Sequence, residues 1–335
     1  MSSDSFVEVV RGSVVESRHR VHVAVVDARG RLRASAGEPD LVTFLRSAAK
    51  PLQALPLVED GVALRFGFTD AELALCCGSH SGTQQHVGAA ERILRKAGVS
   101  ADALVCGPHP PFDQLTQQTL AEEGLEPGRL HNNCSGKHAG MLALARAHGW
   151  SEADYQEAWH PVQGRTLAEV VRWAGILEEA VALGIDGCGV ACFGMPLRNM
   201  ALAYARFASA ARQGDPGPAQ IVAAMTRYPE MVAGHGRICT ELMRYTEGRI
   251  FAKVGAEGVY CVGVPGAELG IALKIEDGSA RAVAPAILGV LRGLDLISED
   301  DFGALHAHAY PDLLNSCGHP VGQLRPRINM RAADA

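Results

Sequence analysis

Apolar and polar positions change rhythm several times along the chain. Between Phe6 and Ala36 they alternate with a period of two, and VEVVRGSVVESR and RVHVAVVDARGRLRASAG read as two strands, the second turning at Asp27-Ala28-Arg29-Gly30. After Phe44 the period becomes helical: Leu52, Leu55 and Leu57-Val58 mark a buried side until Gly61 stops the run. Thr69-Asp70-Ala71-Glu72 has the pattern of a capping box and opens a short helix that runs into the Gly/Ser loop Cys76 to Gly82. Gln84 to Ala97 predicts a helix ended by Gly98, and Cys106 to Phe112 a proline-rich connection. His131 to Gly140, HNNCSGKHAG, reads as a polar loop leading into the apolar helix MLALARAHG. Glu152 to Arg212 is mostly helical, interrupted at GIDGCGVAC. RIFAKVGAEG, VYCVGVPG and LGIALKIEDG then predict three consecutive antiparallel strands, followed by a final helix from Ala282 to Leu294.

An N-terminal hairpin satisfies its edges most simply by pairing with the C-terminal strands in one sheet, with helices covering it. The expected fold is therefore α+β (αβα): an antiparallel sheet of N- and C-terminal strands and a largely helical middle. We expect a single catalytic domain over 1–335, with its sheet region at about 1–45 and 245–335 and its helical region at about 46–244. Such a sheet would also return residue 253 to the neighbourhood of Ser47.

Composition narrows the function. With 335 residues, 47% of them apolar, the chain can bury a large core, and its net charge of -6 gives no basic footprint for nucleic acid. No window reaches the ~20 apolar residues of a membrane span, and the polar start MSSDS shows no signal or transit pattern. A cytoplasmic location is the expectation. Nine cysteines without a small-scaffold spacing are then free thiols or ligands.

The chemistry centres on Arg46-Ser47-Ala48-Ala49-Lys50-Pro51. Residues three apart share a helical face, so a neutral Lys50 could take the Ser47 proton. Pro51 biases the preceding residue away from helical angles, which puts the motif at a helix start. On an ordinary surface helix the same residues are a cap and a solvated charge. Stock motifs fail: Gly78-Ser79-His80-Ser81-Gly82 has His where a nucleophile elbow needs Ser, and Lys137 is followed by His138, not by the Ser or Thr of a Walker loop. What survives is an order: Ser47-x-x-Lys50, then Ser79-His80-Ser81, then Lys253-Val254-Gly255 on a strand. Active-serine hydrolases carry S-x-x-K, S-D-N and K-T-G in this order. Ser81 for Asn and Val254 for Thr argue against a β-lactamase or transpeptidase.

RSAAKPLQ, CCGSHSG, HNNCSGKHAGML, GIDGCGV and AKVGAEG, in this order and spacing, resemble the rhizobial-type (class 3) L-asparaginases, whose fold is similar to that of serine β-lactamases and glutaminases. The resemblance runs over nearly the whole chain, and it implies hydrolysis of L-asparagine to L-aspartate and ammonia by a homodimer. It implies Ser47 as nucleophile, Lys50 as base, and Ser79 with Lys253 as a second Ser-Lys pair. It further implies a zinc ion on Cys134, Lys137 and Cys188, tuning substrate affinity rather than activating water. The remaining cysteines read as core or inert. For the substrate's α-carboxylate Arg46 is the candidate fork, and for its α-ammonium Asp186; His80 and Asn133 complete the expected substrate contacts. Three alternatives stay open: a glutaminase or other serine amidohydrolase or peptidase, a catalytically inactive zinc-binding protein, and a cysteine amidase using Cys134 or Cys188.

Overall fold

The structure, a computed structural model, describes residues 4–333. The chain divides into two compact units: Met1–Ala48 with Met195–Ser209 and Glu241–Ala335, and Ala49–Gly194 with Ala210–Thr240.

The first unit is built on a nine-stranded antiparallel sheet. Its main path runs Asp312–Leu314, Pro320–Arg327, Phe6–Arg11, Val14–Asp27, Leu269–Ile275, Val259–Val264, Phe251–Gly255, while Leu32–Ala36 pairs with Val14–Asp27 and with Arg331–Ala332. The central pairing sets Val21 opposite Ile275 and Asp27 opposite Leu269, so N- and C-terminal strands share the sheet as their edges require. Val21, Val23, Val25, Ile271 and Leu273 are buried, and the helix Val283–Gly293 packs onto Pro320–Arg327, Phe6–Arg11, Val259–Val264 and Leu269–Ile275. The helix Leu197–Gln213 brings Tyr204 against Phe251, their rings stacked at 5.4 Å.

Three sequence expectations change here. Residues 6–36 form three strands: the first break falls at Gly12-Ser13, and Val14–Asp27 runs straight through Arg18-His19-Arg20. That polar triplet is tolerated because His19 turns inward, its Nδ1 2.6 Å from Asp277 and its Nε2 accepting from Arg281 at 3.0 Å. The helix Val283–Gly293 is not the last element. Helices Glu299–Ala304 and His306–Ala309 and three further strands follow, one of which pairs with Phe6–Arg11. Finally, this unit also takes in residues 195–209, which lie within the expected helical region of about 46–244.

The second unit is largely helical, with a hairpin of Ala182–Ile185 and Ala191–Pro196. At its centre lies the helix Ser135–His148, whose first eleven residues are all buried, as a helix apolar nearly all round must be. Lys50–Glu59, Asp70–Cys76 and Gln84–Ala97 pack against it. The helix begins at Ser135, so Lys137 and His138 sit on its first turn and not in a loop as expected. Gly136 makes this possible: a Cβ there would stand 2.6 Å from the Leu75 carbonyl oxygen, so only glycine lets the two helices meet so closely.

Candidate active site

Lys50 opens the helix Lys50–Glu59, preceded by the single tight turn Arg46–Ala49 and followed by Pro51 in the first turn, where a missing N–H costs nothing. Its side chain is fully buried. The amine lies 2.6 Å from the Gly78 carbonyl, 3.0 Å from Ser79 Oγ, 3.2 Å from Cys134 Sγ and 3.4 Å from the Asn133 carbonyl. Burial pushes its pKa down and the nearby Lys137 pushes the same way, against the thiols of Cys134 and Cys188. A neutral amine fits these partners well. Two N–H groups can serve the two carbonyls, which leaves the lone pair for the Ser79 hydroxyl.

Ser79 is delivered by the helix Asp70–Cys76. Its N-terminus carries the capping box expected from the sequence, Thr69 Oγ1 accepting from Glu72 N–H and Glu72 accepting from Thr69 N–H at 2.8 Å. His80, the next residue, is fully buried. Gly82 N–H donates to its Nδ1 at 3.2 Å, so Nε2 carries the proton and donates to Ser135 Oγ at 2.9 Å. Burial, the stacked His86 ring at 5.0 Å and surrounding cations hold it neutral, well below its ordinary pKa. Both ring nitrogens thus have partners within the protein, one on its own loop and one on Ser135 at the start of the helix Ser135–His148. Asn133 offers its carbonyl to Lys50 and to the His80 N–H, and among the described residues its side-chain amide has no partner.

Cys134, Lys137 and Cys188 come together as the resemblance implies. Lys137 lies 3.1 Å from Cys188 Sγ, and Cys188 sits in the turn of the hairpin that also carries Asp186, whose carboxylate accepts the Gly187 N–H at 2.8 Å. The Cys134 thiol hydrogen-bonds Cys188 and, with the Lys137 charge, draws the Cys188 thiol down to about 5; that bond, together with burial, leaves Cys134 raised to about 12. Lys137 is buried yet held protonated by the two sulfurs. Among the described residues no group of three or more His, Cys, Asp or Glu gathers for a metal. Two sulfurs and one nitrogen are nevertheless a donor set that suits zinc, on condition that Lys137 gives up its proton.

Ser47, Arg46 and Lys253 belong to the first unit. Arg46 has φ 49, a left-handed backbone uncommon outside glycine, immediately before the candidate nucleophile. The next carbonyl along, that of Ala48, accepts from Tyr204 Oη at 2.7 Å. Lys253 is fully buried on Phe251–Gly255, with its amine 2.8 Å from the Val254 carbonyl. The end of that strand passes close to Leu45, whose carbonyl oxygen would lie 2.6 Å from a Cβ on Gly255. The return of this strand to the Ser47 turn, expected from topology, is therefore real.

Sequence reasoning paired Lys50 with Ser47 and Ser79 with Lys253; it did not anticipate the bond between the Lys50 amine and Ser79 Oγ. It also missed Asn132, Tyr204 and Arg237. Asn132 Oδ1 accepts the Cys134 N–H at 2.9 Å while Nδ2 donates to Cys106 O at 2.8 Å, which fixes the entry to the helix Ser135–His148. Asn three residues before a Ser-Gly helix start is the signal that could have found it. Nothing local marks Tyr204 or Arg237.

Among solved structures, the chain resembles Mglu in its native form (17% identity over 84% of this chain and 67% of that one, TM-score 0.44). It also resembles a β-lactamase from Mycobacterium bovis (17%, 86% and 95%, TM-score 0.39) and simvastatin synthase from Aspergillus terreus (12%, 86% and 93%, TM-score 0.35). Between 59% and 67% of the length of the Mglu chains is covered. No curated protein matches by sequence. No helix among the described residues is long and apolar enough to cross a membrane. The family model described as L-asparaginase II matches residues 7–326, and the chain belongs to that family, an amidohydrolase of the asparaginase type.

Proposed function

We propose that the protein hydrolyses the side-chain amide of L-asparagine to L-aspartate and ammonia through a serine acyl-enzyme. The observation that supports this most is the buried Lys50 amine, pushed toward neutrality and already hydrogen-bonded to a serine hydroxyl at 3.0 Å. In this reading Lys50 takes the proton of Ser47, one helical turn before it in sequence. Ser47 Oγ attacks the amide carbon, and the Lys50 ammonium returns the proton to the departing nitrogen as the C–N bond breaks and ammonia leaves. Water, deprotonated by the same amine, then cleaves the aspartyl ester and Ser47 regains its proton.

Ser79 relays protons to Lys50, a role supported by their bond. Lys253 stabilises the developing oxyanion charge, a role that rests on motif order. The Arg46 guanidinium takes the substrate α-carboxylate, supported by its strained backbone beside Ser47; Asp186 takes the α-ammonium, and the Asn133 amide a further polar contact. A zinc ion held by Cys134, Lys137 and Cys188 would add a fixed positive charge beside this machinery.

One observation favours a second reading, in which Ser79 is the acylated residue: its hydroxyl is the one on the Lys50 amine. The test is peptide mapping of the adduct left by a slow substrate or electrophilic amide analogue, alongside ammonia release from asparagine and glutamine and turnover of a chromogenic β-lactam. An adduct on Ser47 with asparagine preferred supports the first reading, and one on Ser79 the second. Dominant β-lactam turnover, or no adduct and no ammonia, would sink both.

A further inference from the structure

Ser79 makes its bond to Lys50 from a loop, and a loop holds such a geometry only when something fixes its backbone. The segment Val232 to Arg237, between the short helix Pro229–Val232 and the helix Ile238–Tyr245, does this at three points. The Ser79 N–H donates to the Val232 carbonyl at 2.8 Å. Ser81 Oγ donates to the Ala233 carbonyl at 2.8 Å. Arg237 Nη1 donates to the Ser79 carbonyl at 2.5 Å and to the Ala233 carbonyl at 3.0 Å, so one guanidinium ties the loop to its brace. The guanidinium is itself set over the Phe112 ring at 5.2 Å.

On its other side the same peptide is held too, since the His80 N–H donates to the Asn133 carbonyl at 3.2 Å, the oxygen that also faces the Lys50 amine. Rotation of the Ser79–His80 peptide would break the bond to Arg237 and the bond to Asn133 together, and would free the backbone from which Ser79 Oγ reaches Lys50. A neutral donor could satisfy the carbonyl; a guanidinium does so with a charge-assisted bond and keeps a second hold on Ala233.

We infer that Arg237 is a positioning residue for the reaction: it sets the orientation of the Ser79 hydroxyl at the Lys50 amine without touching substrate. The inference rests on the reading of Lys50 and Ser79 as catalytic, and a structural readout separates the two.

The experiment compares wild type with Arg237→Ala and Arg237→Lys by ammonia release from L-asparagine, thermal unfolding and crystal structure. Displacement of a reacting group by about 1 Å costs about 10²-fold, so Arg237→Ala should lose about that factor in kcat with KM little changed. Added guanidinium should restore part of it, and Arg237→Lys should fall between the two. In the crystal structure of Arg237→Ala the Ser79 hydroxyl should have left the Lys50 amine. An unchanged kcat, a rise in KM alone, no rescue by guanidinium, or a retained Ser79–Lys50 bond overturns the inference. Should Arg237→Ala fail to fold, Arg237→Lys carries the same comparison, with a reduced kcat at unchanged Tm as the supporting result and wild-type kcat as the opposing one. If wild type releases no ammonia, the catalytic reading fails, and the crystal comparison still decides what Arg237 holds.

Discussion

Glu72→Gln should destabilise the protein by about 2–3 kcal/mol at neutral pH, and the loss should fade in acid. Glu72 is 1% exposed. It accepts the Thr69 N–H at 2.8 Å and the Lys96 ammonium at 2.6 Å, with Arg92 at 3.4 Å. Losing a cap costs about 1 kcal/mol and a hydrogen bond to a charged group about 1.5–3 kcal/mol. Glutamine keeps one acceptor for Thr69 but gives up the charge that holds Lys96, so the sum falls below the full amount. Burial alone would raise the carboxyl's pKa; Lys96 and the Thr69 N–H overrule it and hold the group below its ordinary 4.5. A depressed pKa in the folded state adds stability that is complete above the unfolded value and disappears as pH falls through the folded one. Urea unfolding of both proteins at pH 7 and again at about pH 3.5 measures this. A gap under ~0.5 kcal/mol at pH 7, the range of an ordinary surface substitution, would refute the argument, as would a gap of equal size at both pH values. Because this helix runs directly into Gly78 and Ser79, activity in urea should fail earlier in the variant as well.

On the proposed mechanism Lys50→Met removes the base and should lower kcat for amide hydrolysis by about 10²–10⁴-fold; a variant with more than a tenth of wild-type rate would show that the proton goes elsewhere. Gly136→Ala gains ~1 kcal/mol of helix propensity but drives its methyl into the Leu75 backbone, so calorimetry should find a net loss of about 1–3 kcal/mol. Tyr204→Phe keeps the ring on Phe251 and strips the donor from the Ala48 carbonyl, costing about 1 kcal/mol by urea titration. Zinc titrated into metal-free protein should give a binding isotherm that Cys188→Ser abolishes, and a chelator should raise KM while leaving kcat nearly intact.

Much of the fold was legible because its signals are local. The three strands from Phe251 to Ile275 are short apolar runs bounded by turn residues, and Gly98 ends its helix where expected. The C-terminal strand Pro320–Arg327 was not legible: PVGQLRPR is mostly exposed or half-buried, carries two prolines and has no buried period to read. For the candidate site, Ser47 and Lys50 are singled out by spacing, and Ser79 and Lys253 by the order of motifs. The contact of Lys50 with Ser79 could not be read, because 29 residues separate the two and a buried amine bonds whatever the fold brings near. Arg237 lies 158 residues from the carbonyl it holds and sits in no motif at all. A histidine in a Gly/Ser loop reads as available chemistry, and the full burial of His80 with partners on both ring nitrogens is set by the fold rather than by its neighbours in sequence.

Two of the four groups around the Lys50 amine are main-chain carbonyls, those of Gly78 and Asn133. Main-chain oxygens are present whatever the codon at a position. A library varying residue 133 should therefore keep the amine's immediate surroundings so long as the backbone path is kept, and should change substrate preference before it abolishes turnover. Position 50 has no such latitude. On the proposed function, an engineer seeking a new amide specificity in this scaffold would have a degree of freedom at Asn133 that a list of ligating side chains would have marked as fixed.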